Sequence, residues 1–178
     1  VTLVVVADAD TGLYVPDFRA AERTFQLLTQ VAGRAGRADR PGKVLVQTWN
    51  PDVPCIRMAL HRDEEAFYSE ELATRSRLGY PPFAELVRLT CAAEDGRRAQ
   101  AGAEYLVERL SPYFNARELL GPVRLPMLRG KSRWHILIAA ADGARARGIV
   151  KQAMGQLQEP YRSRGVVVLV DVDPQSFS

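Results

Sequence analysis

Residues 18–37 read F-R-A-A-E-R-T-F-Q-L-L-T-Q-V-A-G-R-A-G-R, and they decide the fold of the region around them. Phe25, Leu28 and Val31 or Ala32 recur at helical spacing, and Asp17 stands just ahead as a helix cap. In a helix that runs to the end of the stretch, Gln30, Arg34 and Arg37 fall at i, i+4 and i+7 and project from one face. Gly33 and Gly36 leave that face uncrowded. Arginine suits a polyphosphate, because its planar, always charged fork meets phosphate oxygens two at a time. Two readings stay open on these residues. Either the arginines neutralise charge on a transferring phosphoryl group, or the helix ends at glycine with solvated basic residues that its macrodipole favours.

The flanks place this helix between strands. Residues 3–8 read as a strand buried on both faces, closed by the acidic turn A-D-A-D-T-G at residues 7–12. Residues 39–42 read as a turn and residues 43–49 as a second strand. Strand, helix, strand at these lengths is expected to form a right-handed βαβ unit. The chain starts at Val1 without an initiator methionine and enters the first strand at once, so a piece of a longer polypeptide is expected.

Residues 53–78 carry a strongly charged helical pattern, with Ala66, Phe67, Tyr68 and Leu72 as its inward face. Gly79-Tyr80-Pro81-Pro82-Phe83 breaks it, since consecutive prolines remove donors and fix φ. Then come a strand at 86–92, a helix at 97–110, two strands around 123–128 and 134–140, a helix at 144–157 and a strand at 166–172. β-α-β-β-α-β is the ferredoxin-like order, an antiparallel sheet with both helices on one face. The expected class is therefore α/β followed by α+β, with boundaries at residues 1–60, 61–82 for the connecting helix and proline-rich break, and 83–178.

With 178 residues and a 47% apolar share, the chain can bury a real core. The net charge of +3 is modest, but the basic residues cluster: Arg34, Arg37 and Arg40; Arg97 and Arg98; Arg124, Arg129, Lys131 and Arg133; Arg145, Arg147 and Lys151. That pattern permits a polyanionic partner. Cys55 and Cys91 lack metal-ligand spacing and read as small buried hydrophobes, so no metal site is expected in this chain. No apolar run has the length to cross a bilayer, and no membrane partner and a cytoplasmic location are expected.

Several smaller constellations invite a functional reading beside a structural one. Asp8 and Asp10 share a strand end, as metal or acid/base groups or as turn residues. Asp171 and Asp173 precede Pro174, which suits a strand terminator. Residues 129–134, R-G-K-S-R-W, place three cations and an indole on what reads as a short hairpin loop. Arg129, Lys131 and Arg133 would grip phosphates while Trp134 stacks on an unpaired base. Alternation along Trp134, Ile136 and Ile138 instead points the indole into the core. Trp49 and Tyr80 read as core or interdomain packing. His61 and His135 have no nucleophile partner at a recognisable spacing.

Six separated motifs occur in order: F-R-A-A-E-R at 18–23, Q-V-A-G-R-A-G-R at 30–37, G-Y-P-P-F at 79–83, L-G-P at 120–122, R-W at 133–134 and D-V-D-P at 171–174. Together they resemble the carboxy-terminal part of the primosomal replication-restart helicases of the PriA (primosomal protein N′) family. The resemblance implies a superfamily two DNA helicase that recognises stalled forks and starts reloading of the replicative helicase. It makes the first strand and acidic turn similar to motif V of a second RecA-like lobe, and Gln30, Gly33, Arg34, Gly36 and Arg37 to motif VI. Arg34 and Arg37 would then face ATP and its magnesium, both held mainly by a first lobe, and Gln30 would position the nucleotide or its attacking water. It also implies a carboxy-terminal domain that holds single-stranded or branched DNA and contacts single-strand DNA-binding protein and other primosome proteins, with Arg145, Arg147 and Lys151 able to receive an acidic tail. No G-x-x-x-x-G-K-[ST] loop occurs in these residues, and the family's zinc module has no counterpart in them, so this chain alone is not expected to hydrolyse ATP. Two other readings remain: a fork-binding scaffold of the same family without ATPase, and a free-standing ferredoxin-like module for RNA or a small ligand.

Overall fold

The structure is a computed structural model that describes residues 2–15, 17–35, 42–162 and 165–174. It divides into two compact units, Val1–Thr74 and Arg75–Ser176. Each mixes helix and strand, with five helices among the described residues.

In the first unit, β1 (Leu3–Val6) pairs in parallel with β2 (Lys43–Val46), and α1 (Ala20–Arg34) lies between them in the chain. The strands are shorter than their apolar runs suggest. β1 is not buried on both faces among the described residues: its side chains alternate, Leu3 and Val5 exposed on one face while Val6 packs on the core from the other. Ala20, Thr24, Phe25 and Leu28 form the buried stripe of α1. Asp17 does cap its approach, accepting the Arg19 N–H at 2.9 Å, but the helix proper starts two residues later than Phe18.

The single helix expected over 53–78 is two. α2 (Pro54–His61) opens with proline in its first turn and ends at Arg62, which adopts the left-handed conformation at φ 57°. Arg62 and Asp63 donate back to Ala59 and Met58, closing the helix, and the Asp63 carboxylate accepts the Ala66 N–H at the start of α3 (Glu64–Leu78). Only Phe67 of the expected inward face is fully buried in α3. It stacks on Phe25 with ring centroids 3.9 Å apart, while Tyr68 and Leu72 stay partly exposed.

The second unit runs β3 (Glu85–Ala93), α4 (Gly96–Leu110), β4 (Leu119–Leu128), β5 (Lys131–Ala140), α5 (Gly143–Arg162) and β6 (Val167–Val172). The strands form one antiparallel sheet in the order β4-β5-β3-β6. Val87, Leu89, Cys91, Ile136, Ile138 and Ala140 cover one face and pack against α4 (Ala99, Ala103, Leu106) and α5 (Ala146, Val150, Met154). Burying so continuous an apolar layer supplies most of the driving force for this unit. Gly121 sits at φ +105°, and a Cβ there would lie 2.9 Å from the His135 carbonyl oxygen, so the L-G-P motif needs glycine where β4 crosses β5.

Candidate functional site

At the end of α1 the helical argument holds for two side chains and then stops. Gln30 and Arg34 are both exposed and lie on the side of the helix away from Phe25 and Leu28. Gly33 between them is open, with nothing within 4 Å of the place a Cβ would take. Arg34 has no ion pair among the described residues, so its guanidinium is available to an anion. Ala35 is extended, at φ −81° and ψ 123°, and α1 ends at Arg34. Gly36 and Arg37 lie outside the described residues, as does Arg40.

The acidic turn after β1 is structural. Asp8 accepts the backbone N–H groups of Asp10 and Thr11 and, at 2.5 Å, the Thr11 hydroxyl. These bonds, the hydroxyl first, hold its carboxyl below the usual range. Asp10 is buried and reaches across to the segment after β2, where it accepts Asn50 Nδ2 at 2.8 Å, the Trp49 N–H at 2.8 Å and the Thr48 hydroxyl at 3.0 Å. Its pKa is lowered too, by the Asn50 amide first and the Trp49 N–H next. Both carboxylates are fully employed, and no group of three potential metal ligands occurs among the described residues. Core packing does not hold for Trp49, which is 88% exposed and held out on a backbone that Asp10 anchors; Tyr80 is half-buried.

The basic stretch at 129–134 is not one loop. Arg129 and Gly130 alone make the turn, both at positive φ (50° and 75°), which gives a two-residue hairpin with Leu128 opposite Lys131. Lys131, Ser132, Arg133 and Trp134 belong to β5, where successive side chains alternate. Lys131 and Arg133 therefore share a face with His135, and Trp134 shares the opposite, helix-bearing face with Ser132 and Ile136. Arg133 donates through Nε to the Pro126 carbonyl at 3.1 Å; Arg129 and Lys131 are exposed and unpaired among the described residues. Burial, then Arg88 and Arg133, hold the His135 imidazole below its ordinary pKa.

Trp134 has different company from that expected. The hairpin register sets Arg124 directly across from it on β4, and the first turn of α4 brings Arg97 and Gln100 alongside. With Ser132 they line an open cleft of about 500 Å³. The two-residue turn alone would set Leu125 across from Trp134; a register shift between Leu125 and Leu128 moves Arg124 into that place, so local reading of the turn does not reveal the site.

Other candidates are internal. Asp171 forms a cross-strand ion pair with Arg88 at 2.9 Å, and Asp173 turns the chain out of β6 at φ 51°. Arg145 donates to the Tyr113 carbonyl and lies 3.7 Å from Glu118, while Arg147 pairs with Glu85. Only Lys151 of that helix cluster is unpaired among the described residues. His61 is exposed at the end of α2. Cys55 and Cys91 are buried and free; burial pushes both thiols up, Cys91 to about 12. Among the described residues, no helix is long and apolar enough to cross a membrane.

Comparison with known proteins adds to this geometry. A family model described as "Primosomal protein N C-terminal domain" matches residues 76–175. Proteins named "Replication restart protein PriA" match nearly the whole chain: 37% identical over 98% of it in Bacillus subtilis (strain 168), 39% over 97% in Treponema pallidum (strain Nichols), and 35% over 100% in Haemophilus influenzae. The matched part makes up 22%, 26% and 24% of those proteins, so the chain spans about a quarter of their length.

Proposed function

The chain belongs to the PriA replication-restart family, and we propose that it is the carboxy-terminal part of an ATP-dependent DNA helicase that recognises stalled forks and initiates primosome assembly. On this reading the first unit is the end of a second RecA-like lobe, which the parallel pairing of β1 and β2 around α1 supports. The second unit is a ferredoxin-like domain, which the element order and the strand order β4-β5-β3-β6 support.

One observation carries the motor reading: Gln30 and Arg34 stand exposed on the side of α1 away from the core, with open Gly33 between them. A planar, unpaired guanidinium on a rigid helix suits an anion presented by a second body. ATP and magnesium would be held mainly by a first lobe, with Arg34 and Arg37 neutralising charge on the γ-phosphoryl group and Gln30 positioning the nucleotide or its attacking water. Gly33 and Gly36 would allow the close approach. Zinc belongs to a module outside these residues. The second unit would hold single-stranded or branched DNA through Arg129, Lys131, Arg133 and Trp134, and would meet single-strand DNA-binding protein and other primosome proteins.

The test is a pair of ATPase assays. The full-length protein should hydrolyse ATP only when single-stranded DNA is added, and the 178-residue chain should not turn over at all, because half a cleft supplies cations without a phosphate cradle. DNA-stimulated turnover by the chain alone would overturn this assignment, and no turnover by the full-length protein would leave the scaffold reading in its place.

A further inference from the structure

The cleft beside Trp134 differs from the rest of the second unit in what lines it. α4 starts at Gly96, and a Cβ there would lie 3.4 Å from the Ser132 hydroxyl, so the first turn of the helix closes directly onto β5. Trp134, Arg97 and Arg124 line the cleft with Gly96 and Ser132. Trp134 is half-buried, with part of its ring packed on the core and the remainder turned to the cleft. Neither Arg97 nor Arg124 has an ion pair among the described residues. Asp95 is the only carboxylate among the described residues of the lining, and it is spent on the α4 cap, accepting the Arg97 N–H at 2.9 Å, and on Arg98 at 3.6 Å. The cleft is therefore cationic around an aromatic surface, and its volume of about 500 Å³ fits one nucleotide.

We infer that this cleft is a subsite for one unpaired nucleotide of a nucleic-acid strand, its base against Trp134 and a flanking phosphate between Arg97 and Arg124. The chemistry selects the ligand: an aromatic face takes a base that is free to leave its stack, and paired guanidinium groups take the phosphate that follows it. A duplex offers the phosphates but keeps its bases stacked. Lys131 and Arg133 point from the other face of β5 and are not part of this subsite. The inference rests on the reading that the second unit binds DNA, and it narrows where the strand is held.

The chain has two tryptophans, so Trp49→Phe leaves Trp134 as the sole indole. In that background, the 178-residue chain is titrated with an oligothymidylate strand, with a blunt duplex of equal phosphate content and with thymidine monophosphate, following both indole emission and the anisotropy of a labelled strand. The strand should quench Trp134 saturably, and the duplex should not. Arg97→Ala combined with Arg124→Ala should weaken strand binding roughly tenfold and remove the quenching. If the strand binds with unchanged Trp134 emission, the subsite is wrong and the DNA-binding reading survives. Equal quenching by the monophosphate at the same phosphate concentration would reassign the cleft to a free nucleotide and overturn the inference. If no nucleic acid binds at all, both readings fall.

Discussion

The arginines of α5 and those around Trp134 come from equally basic stretches of sequence, yet the fold has used them differently. Arg145 and Arg147 are engaged with Glu118, the Tyr113 carbonyl and Glu85, and Arg145 also lies over the Phe114 ring, 5.4 Å from its centroid. Arg97 and Arg124, like Arg34 on α1, have no carboxylate partner among the described residues. A paired guanidinium must leave its partner before it can neutralise a phosphate, and the pair presents little net field until it does. Counting basic residues therefore misstates where a polyanion is held. Pairing, which only the tertiary structure supplies, separates cations that serve the fold from cations left for a ligand.

This distinction predicts a division of effects: unpaired arginines change function and leave stability alone, and paired groups do the reverse. The largest effect belongs to the first unit. In the full-length protein, Arg34→Ala should cut DNA-stimulated ATP turnover about a thousandfold, with Arg37→Ala alike, while DNA binding and the melting temperature stay put. Arg34→Lys should not restore turnover, since lysine lacks the fork. Near-normal steady-state rates for both variants would make the end of α1 a solvated helix end.

Next comes a carboxylate at the opposite extreme of employment. Asp10→Ala strands the Trp49 N–H and the Asn50 amide, and should lower the melting temperature by on the order of 5 °C. Because its hydrogen bonds lower the folded pKa below the ordinary 3.8, the unfolded chain binds the proton more readily. The stabilisation is thus complete above that ordinary value and disappears as the pH falls through the folded pKa. Asp10→Asn should flatten this acid limb of the stability profile, measured by thermal melts across the acid range.

Smaller effects follow the degree of burial. Arg88 is 17% exposed in its pair with Asp171, and Arg88→Ala should cost about 1–2 kcal/mol in urea unfolding without changing strand affinity. Arg145→Ala removes a more exposed pair and should cost less than about 1 kcal/mol. A drop in DNA affinity from either variant would erase the distinction between the two sets.

Much of the second unit was legible in the sequence, because each strand there carries enough β-branched and apolar residues, and each turn enough glycine or proline, to mark its limits. The break between α2 and α3 was harder to see, since it depends on Arg62 taking a left-handed conformation that its residue type does not advertise. The R-G-K-S-R-W stretch misled for a related reason. A run of polar residues reads as loop, yet the two-residue turn at Arg129-Gly130 needs no more, and the remaining residues join a strand whose alternation sends Lys131 and Trp134 to opposite faces. The partners of the arginines lay beyond local reading altogether: Arg88 and Asp171 meet across 83 residues. The core fates of Cys55 and Cys91 were plain from composition, and the exposure of Trp49 was not.

The division between paired and unpaired cations is tested most directly by the salt dependence of single-strand binding to the 178-residue chain. Two variants are compared, one lacking Arg97, Arg124, Arg129 and Lys131, the other lacking Arg145 and Arg147, each replaced by alanine. The slope of log affinity against log salt should flatten by roughly one for each phosphate that the first variant no longer neutralises, and it should stay at its original value in the second. An unchanged slope in the first, or an equal flattening in the second, would contradict the account.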